Sequence, residues 1–252
     1  MDNDFLGGKT AVVTGATRGI GYAIAEALLR VGATVAICGR TESSVSEAVS
    51  RLTTGAAAIA SGGAKSKVLG KAADVRANTE VEEWFAWADQ AWADQAVGGP
   101  DILVNNAGIG LFKSTAELTV EEWQRTLETN LSGAFYCSRA ALARMKHRGG
   151  GYIINIGSLA GKDAFAGGAA YNASKFGLTG LTEAMLLDHR YDNVRVTHIM
   201  PGSVDTAFSG GSARTDWKIA PEDVGEIVLM LLRMPERTLV SRVEVRPSKP
   251  RK

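Results

Sequence analysis

The chain of 252 residues is short of most features that would tie it to a special environment. Its two cysteines, Cys38 and Cys137, are too few for a disulfide framework and point to a reducing compartment, the cytoplasm. No stretch offers the ~18 uninterrupted apolar residues of a membrane span. The opening residues, Met1 to Gly8, carry two aspartates and no apolar run, so a secretory leader is not expected. Charge of one sign is missing too. With 28 Lys and Arg against 27 Asp and Glu, the formal charge of +1 leaves no broad field to hold nucleic acid or an anionic membrane. Only three histidines are present, His147, His189 and His198, scattered without an acid or cysteine at ligand spacing, so no metal site is expected. Hydrophobic residues make up 45%, near the globular average, which excludes disorder and fibrous repeats. The expected partner is a small molecule.

What the chain does have is an alternation. Short β-branched runs at Thr10–Val13, Thr34–Ile37, Ile102–Val104, Tyr152–Ile156, Val194–Ile199 and Leu239–Val243, with a weaker one at Lys67–Leu69, are separated by helical patterns. The helices are expected at Gly21–Val31, Glu42–Leu52, Thr79–Val97, Val120–Arg148, Ala170–His189 and Pro221–Met234. The early runs are apolar on both faces, as parallel strands covered on each side require. The expected fold is a doubly wound α/β Rossmann domain spanning 1–252: a seven-stranded parallel sheet flanked by three helices on each face. Three segments need separate readings. Thr53–Gly63, rich in Ala, Gly, Ser and Thr, is either a loop or an overrun of the preceding helix. The immediate repeat Trp87–Ala91, Trp92–Ala96 lengthens a helix, with Trp84, Trp87 and Trp92 packing rather than forming a stacking platform. The basic tail from Arg246 to Lys252 reads as a solvated terminus.

The first chemical signal follows the first strand: Thr14-Gly15-Ala16-Thr17-Arg18-Gly19-Ile20-Gly21, with a helix directly behind it. Glycine there permits a tight turn with positive φ, lets backbone approach a pyrophosphate, and lets the helix pack on its strand. The helix N-terminus offers free N–H groups and partial positive charge to phosphates, so a dinucleotide site is expected. The end of the second strand faces the adenosine ribose, where an acid would bond the 2′-hydroxyl. This chain has Cys38-Gly39-Arg40-Thr41 instead. Arg40, with Arg18 from the glycine loop and the Thr41 hydroxyl, suits a 2′-phosphate, so NADP(H) is expected over NAD(H).

The second signal is Tyr171 and Lys175, four apart on one helix and therefore on one face. Ser158 lies just beyond a strand, at the carboxyl edge where ligands gather in open α/β sheets. Asn130 lies within the long preceding helix. These motifs, with Asp74-Val75, Asn105-Asn106-Ala107-Gly108 and Pro201-Gly202 followed by Thr206, resemble the short-chain dehydrogenase/reductase family in its shorter single-domain form, from about Lys9 to Val245. The resemblance implies that Asp74 and Val75 meet the adenine, that Asn105 to Gly108, with Asn106, Ala107 and Gly108, shape the cofactor floor, and that Pro201, Gly202, Val204 and Thr206 embrace the nicotinamide end. It also implies a tetrad of Asn130, Ser158, Tyr171 and Lys175, in which Asn130 holds a water that leads protons to Lys175.

The tetrad chemistry is also intelligible from its groups. Hydride arriving at a carbonyl carbon leaves charge on oxygen, which must be stabilised and protonated. Tyr171 is the acid in reduction and the base in oxidation. A free phenol titrates near ~10, too high for a base at neutral pH, so a cation must favour its phenolate. An ammonium about 4 Å away supplies roughly 1–4 kcal/mol, and Lys175 is that cation. Lys175 also holds the nicotinamide ribose, and Ser158 donates to the carbonyl oxygen.

The substrate wall is expected from three segments, about 109–114, 159–168 and 203–219. They bring Leu111, Phe112, Leu159, Phe165, Phe208 and Trp217, a mainly apolar set. Ser209 to Ser212 would hinge a lid or be a plain surface loop, and Lys162 and Arg214 either greet a carboxylate or point to solvent. Among relatives, 3-oxoacyl-[acyl-carrier-protein] reductases are an alternative reading. They commonly present arginines to their acidic carrier where this chain has Tyr136 and Leu187, and end on a Gly-Gly strand where it has Val243 to Pro247. A small free carbonyl or alcohol is therefore preferred. A non-catalytic NADP(H) sensor is a third reading, opposed by the complete Ser158, Tyr171 and Lys175 set. The resemblance further implies a homo-oligomer, a tetramer or dimer, built on the two long helices.

Overall fold

Runs of β-branched and small apolar residues bury both faces only when helices cover the sheet on each side, and this chain forms that arrangement. The computed structural model describes residues 4–59, 67–92, 98–209 and 215–250. Seven parallel strands, β1 (Thr10–Val13), β2 (Thr34–Ile37), β3 (Val68–Gly70), β4 (Ile102–Asn105), β5 (Gly151–Ile156), β6 (Val194–Pro201) and β7 (Arg242–Val245), lie in the order β3-β2-β1-β4-β5-β6-β7. Alternate residues of each central strand feed opposite cores. Ala11 and Val13 join one with α1 (Gly19–Arg30), α2 (Glu42–Ile59) and α7 (Pro221–Leu232). Val12 joins the other with α3 (Asn78–Ala91), α5 (Gly133–Arg148) and α6 (Ala169–His189). Fully buried Ile24, Leu28, Leu103 and Ile153 anchor these layers, each worth roughly 1.5–3 kcal/mol over exposure. Trp84, Phe85 and Trp92 are core residues, as the packing reading expects. No helix among the described residues is long and apolar enough to cross a membrane.

Helix starts follow local capping. Thr119 and Glu122 bond each other's backbone N–H at 3.2 and 3.0 Å, opening α4 (Val120–Leu127). Pro221 opens α7, and Asp223 accepts from the Ala220 N–H at 3.0 Å.

Four expectations are corrected. The helix expected over Val120–Arg148 is interrupted by a π-helical turn, Glu128–Ser132, between α4 and α5. An extra residue in a turn leaves the apolar period nearly intact, so periodicity did not reveal it. The last strand is Arg242–Val245 rather than Leu239–Val243, because Arg242 is where pairing with His198 begins. Leu239 and Val240 pack on the core without entering the ladder. The segment after Leu52 continues α2 to Ile59, so the overrun is the correct alternative there; the rest of Thr53–Gly63 lies outside the described residues. α3 ends at Ala91, and residues 93–97, the rest of the repeat and of the expected helix, also lie outside them.

Candidate active site

The strand order reverses between β1 and β4, and a crevice opens at their carboxyl ends. There a cleft of about 1100 Å³ runs across the sheet edge. Its floor is stitched before any ligand arrives. The Thr14 hydroxyl accepts from the N–H groups of Asn106 and Ala107, both at 3.0 Å. The Asn106 side chain in turn donates to the carbonyls of Thr14 and Gly15, also at 3.0 Å. Gly15 has φ +63, and a Cβ on it would lie 2.7 Å from the Ala107 Cα. A Cβ on Gly21 would lie 2.6 Å from the Gly15 carbonyl oxygen. The turn therefore admits only glycine at both places. Behind it α1 starts with no side-chain cap and no acid in its first turn, leaving its N–H groups for an anion.

Gly15, Thr17, Arg18, Gly19, Ile20, Arg40, Asp74, Val75, Asn106, Ala107 and Gly108 line this end of the cleft. Thr14 and Gly21 stand behind the lining and shape it. Thr41 does not line it. Its hydroxyl lies 2.8 Å from Ser44 Oγ at the head of α2. Arg40 is exposed and faces the cleft. Asp74 is held by a residue the sequence reading missed: Arg76 Nε donates to both carboxylate oxygens at 3.0 and 2.9 Å. That bond, chiefly, holds the Asp74 carboxyl below its ordinary range despite partial burial.

The other end gathers Ser158, Tyr171 and Lys175 with Pro201, Gly202, Val204 and Thr206. Ser158 follows β5, its Oγ accepting from the Ala160 N–H at 3.1 Å as the cap of a short 3₁₀ turn. Tyr171, in the first turn of α6, is only 9% exposed. Burial pushes its phenol up, while a hydrogen bond with Ser158 pulls the other way. Lys175, one turn on, is buried, and burial pushes its ammonium down to about 8. Its Nζ donates to the Ile156 carbonyl at 3.0 Å and lies 5.8 Å from the Tyr171 ring centroid. The expected depression of the phenol by Lys175 is thus not present here. Desolvation outweighs it, and the ammonium is committed to backbone.

Asn130 sits in the π turn, 1% exposed and behind the cleft wall. Its Oδ1 accepts from the Ile109 N–H at 2.8 Å; its Nδ2 donates to the Ile109 carbonyl and to Ser174 Oγ, both at 3.0 Å. Ser174 Oγ donates onward to the Tyr171 carbonyl at 2.8 Å. The amide therefore pins the loop after β4 to the helix that carries Tyr171. Ser174 is a further residue the sequence reading missed in this role, and His198 one it missed near the site. His198 is buried against Gly157, with neither ring nitrogen hydrogen-bonded among the described residues. Burial first, then Lys175 and Arg242, hold its imidazole down at about 4, so it is neutral.

A sequence profile described as short chain dehydrogenase matches residues 9–217. The chain belongs to the short-chain dehydrogenase family. An oxidoreductase of Staphylococcus saprophyticus, itself uncharacterised, is 35% identical over 95% of this chain and 97% of its own length. Among solved structures, an alcohol dehydrogenase from the archaeon Thermococcus sibiricus complexed with 5-hydroxy-NADP superposes with a TM-score of 0.85 at 30% identity, covering 97% of this chain and 98% of that one. A metagenomic short-chain oxidoreductase in complex with NADP superposes at 0.79 with 33% identity, covering 97% and 99%.

In this short-chain dehydrogenase the expected substrate segments do border the cleft, through Ile109, Phe112, Leu159, Phe165, Phe208 and Trp217. Leu111 is not among the lining residues. Lys162 is taken by Glu244 at 2.8 Å, and Arg214 and residues 210–212 of the expected lid lie outside the described residues. The tail is solvated as expected, with Arg246, Ser248, Lys249 and Pro250 exposed. It also borders the cleft through Arg246, Pro247 and Pro250, with Arg246 paired to Glu244 at 3.1 Å and Asp163 at 3.6 Å. Parallel pairing of β7 with β6 delivers it to the ligand edge of the sheet.

Proposed function

We propose that this short-chain dehydrogenase is an NADP(H)-dependent enzyme that interconverts a carbonyl and an alcohol on a small free substrate, with Tyr171 moving the proton. The observation that carries this reading is one cleft with a glycine cradle at one end and a buried Tyr171, with Ser158 and Lys175 in the same lining, at the other. Arg18 and Arg40 line the adenosine end, which favours a 2′-phosphate. The NADP complexes of two structural neighbours support the same choice. The residues fit the cofactor: positive-φ Gly15 and Gly19 and the bare α1 N-terminus would hold the pyrophosphate, Asp74 and Val75 the adenine side, and Asn106 to Gly108 the floor. Pro201, Gly202, Val204 and Thr206 would close the nicotinamide side.

The bound nicotinamide supplies hydride, or accepts it, at the substrate carbon. Every other step belongs to side chains. Ser158 orients the carbonyl oxygen and, with Tyr171, meets the charge that develops there. In reduction Tyr171 gives its phenolic proton to that oxygen; in oxidation it takes the proton back. Lys175, a cation below about pH 8, would bond the ribose, and its charge opposes without overcoming the burial that raises the phenol. Asn130 sets the distance between the Ile109 loop and Tyr171.

The chain works as one domain whose substrate loops, about 109–114, 159–168 and 203–219, are built into the sheet edge. Its thiols, Cys38 and Cys137, are both free and buried, consistent with a cytoplasmic protein. Phe135 on α5 and Phe176 and Leu187 on α6 are exposed, at 43%, 45% and 61%, and further copies of this chain would cover them. Leu187 also offers no cation to an acidic carrier protein, which disfavours the 3-oxoacyl reductase reading. NADPH oxidation with aldehydes, free ketones and 3-oxoacyl thioesters tests the proposal. Turnover confined to carrier-bound thioesters would convert it to that alternative. Tight NADPH binding without turnover of any of them would convert it to a sensor.

A further inference from the structure

Three phenylalanines, each from a different loop, surround the one phenol of the cleft. Phe112 follows β4, Phe165 follows β5 and Phe208 follows β6. Their ring centroids lie 5.4, 6.4 and 5.9 Å from that of Tyr171, and Phe112 lies 5.7 Å from Phe165. Tyr171 is 9% exposed, whereas the three phenylalanines keep 45%, 43% and 41% of their surface open. No helical or strand period brings such residues together, so the convergence belongs to the loops.

The backbone makes room for it. A Cβ on Gly110 would lie 2.5 Å from the Phe208 ring and 3.0 Å from that of Phe112; one on Gly168 would lie 2.6 Å from that of Phe165. A bridge between Lys113 and Gly168 ties the first two loops together. Asn172 Nδ2 donates to the Phe165 carbonyl at 2.8 Å and fixes the second to α6. The rings are tilted by 76°, 53° and 59° to Tyr171, in the edge and tilted geometries that aromatic pairs prefer.

We infer that the substrate carries an aromatic ring directly beside its reacting carbon: an aryl ketone or aryl aldehyde, or the corresponding benzylic alcohol. This rests on the oxidoreductase reading above. A carbonyl oxygen bonded by Tyr171 and Ser158 sets its substituents within reach of these rings at once, so the group they recognise is the carbonyl's neighbour rather than the end of a long acyl chain. Open ring faces and edges reward a flat π system beyond the area it covers, which a saturated group cannot match. Two cations of the neighbouring segments are already paired, Lys162 with Glu244 and Arg246 with Glu244 and Asp163.

A matched pair tests this: acetophenone and cyclohexyl methyl ketone, equal in carbon count and differing in ring planarity. NADPH-dependent kcat/KM is expected to favour acetophenone by about tenfold or more, and Phe112→Leu and Phe165→Leu each to shrink that ratio severalfold. Thermal melting confirms that each variant is folded. Equal kcat/KM for the two ketones, or a ratio unmoved by both variants, overturns the inference. Saturation-transfer NMR of acetophenone with the NADPH complex reads the ring site without turnover. Saturation of its ring protons, weakened by Phe112→Leu, with no ketone turned over would uphold the ring site and overturn the oxidoreductase reading instead. Neither turnover nor saturation would overturn both.

Discussion

At the scale of single residues the cleft is governed by desolvation. Tyr171 is buried and its phenol is pushed up, so on the proposed mechanism loss of its hydroxyl takes away the proton source and little packing. Tyr171→Phe is expected to lower kcat by about 10²–10⁴ while NADPH affinity, read by fluorescence titration, stays nearly unchanged. Lys175 is a buried cation whose folded pKa of about 8 lies below its ordinary 10.5. Between those values the unfolded chain binds more protons, so this group adds stability as pH rises through the window and costs stability below it. Lys175→Met should abolish turnover yet raise the Tm at pH 7 by several degrees. The charge cost removed is on the order of 3 kcal/mol, less the bond lost to Ile156. The rise of Tm with pH above about 8 should flatten in the variant; a lower Tm at pH 7 would contradict this account. Arg40 is legible for the opposite reason, because a cation replaces the acid that a ribose hydroxyl would want. Arg40→Asp should cut the NADPH over NADH preference, measured as kcat/KM, by about tenfold or more.

At the scale of elements, β5 and β6 carry the phenol's neighbours, and their spacing depends on one missing side chain. A Cβ on Gly157 would lie 2.0 Å from His198 Nε2, and the buried imidazole has nowhere to swing. Gly157→Ala should destabilise by about 1–3 kcal/mol, lowering the Tm by several degrees. The double variant with His198→Ala should recover most of that loss, and a scan of both checks it. The strands were readable because runs such as Thr10–Val13 are buried on both faces and need no partner information. The π turn was not, since one extra residue hardly disturbs a helical period over Val120–Arg148. β7 was misplaced because Leu239 and Val240 are apolar for the core while the ladder is set by where His198 meets Arg242.

At the scale of the whole molecule, sequence revealed what local chemistry announces and hid what the topology assembles. The glycine turn, Ser158, Tyr171 and Lys175 stand in motifs with fixed spacing. Ser174, His198, the ring cluster and the tail from Arg246 onward act across long separations in the chain, and no pattern along it records them; Arg76 acts on Asp74 only two residues away, but nothing in the sequence singles out that pairing. Asn130 lies between these cases: its position was readable, whereas its clamp on Ile109 appears only in three dimensions. The exposed phenylalanines of α5 and α6 belong to this scale as well. Light scattering should give the mass of a dimer or tetramer, and Phe176→Arg with Leu187→Asp should shift it toward the monomer. A monomeric wild type would remove the assembly from the account.

The double tie between Thr14 and the Asn106 segment means that the nucleotide enters a mould already set. Little conformational entropy is left to lose there, so calorimetry should find association accompanied by a modest heat-capacity change and discrimination between nucleotides arising from direct contacts alone.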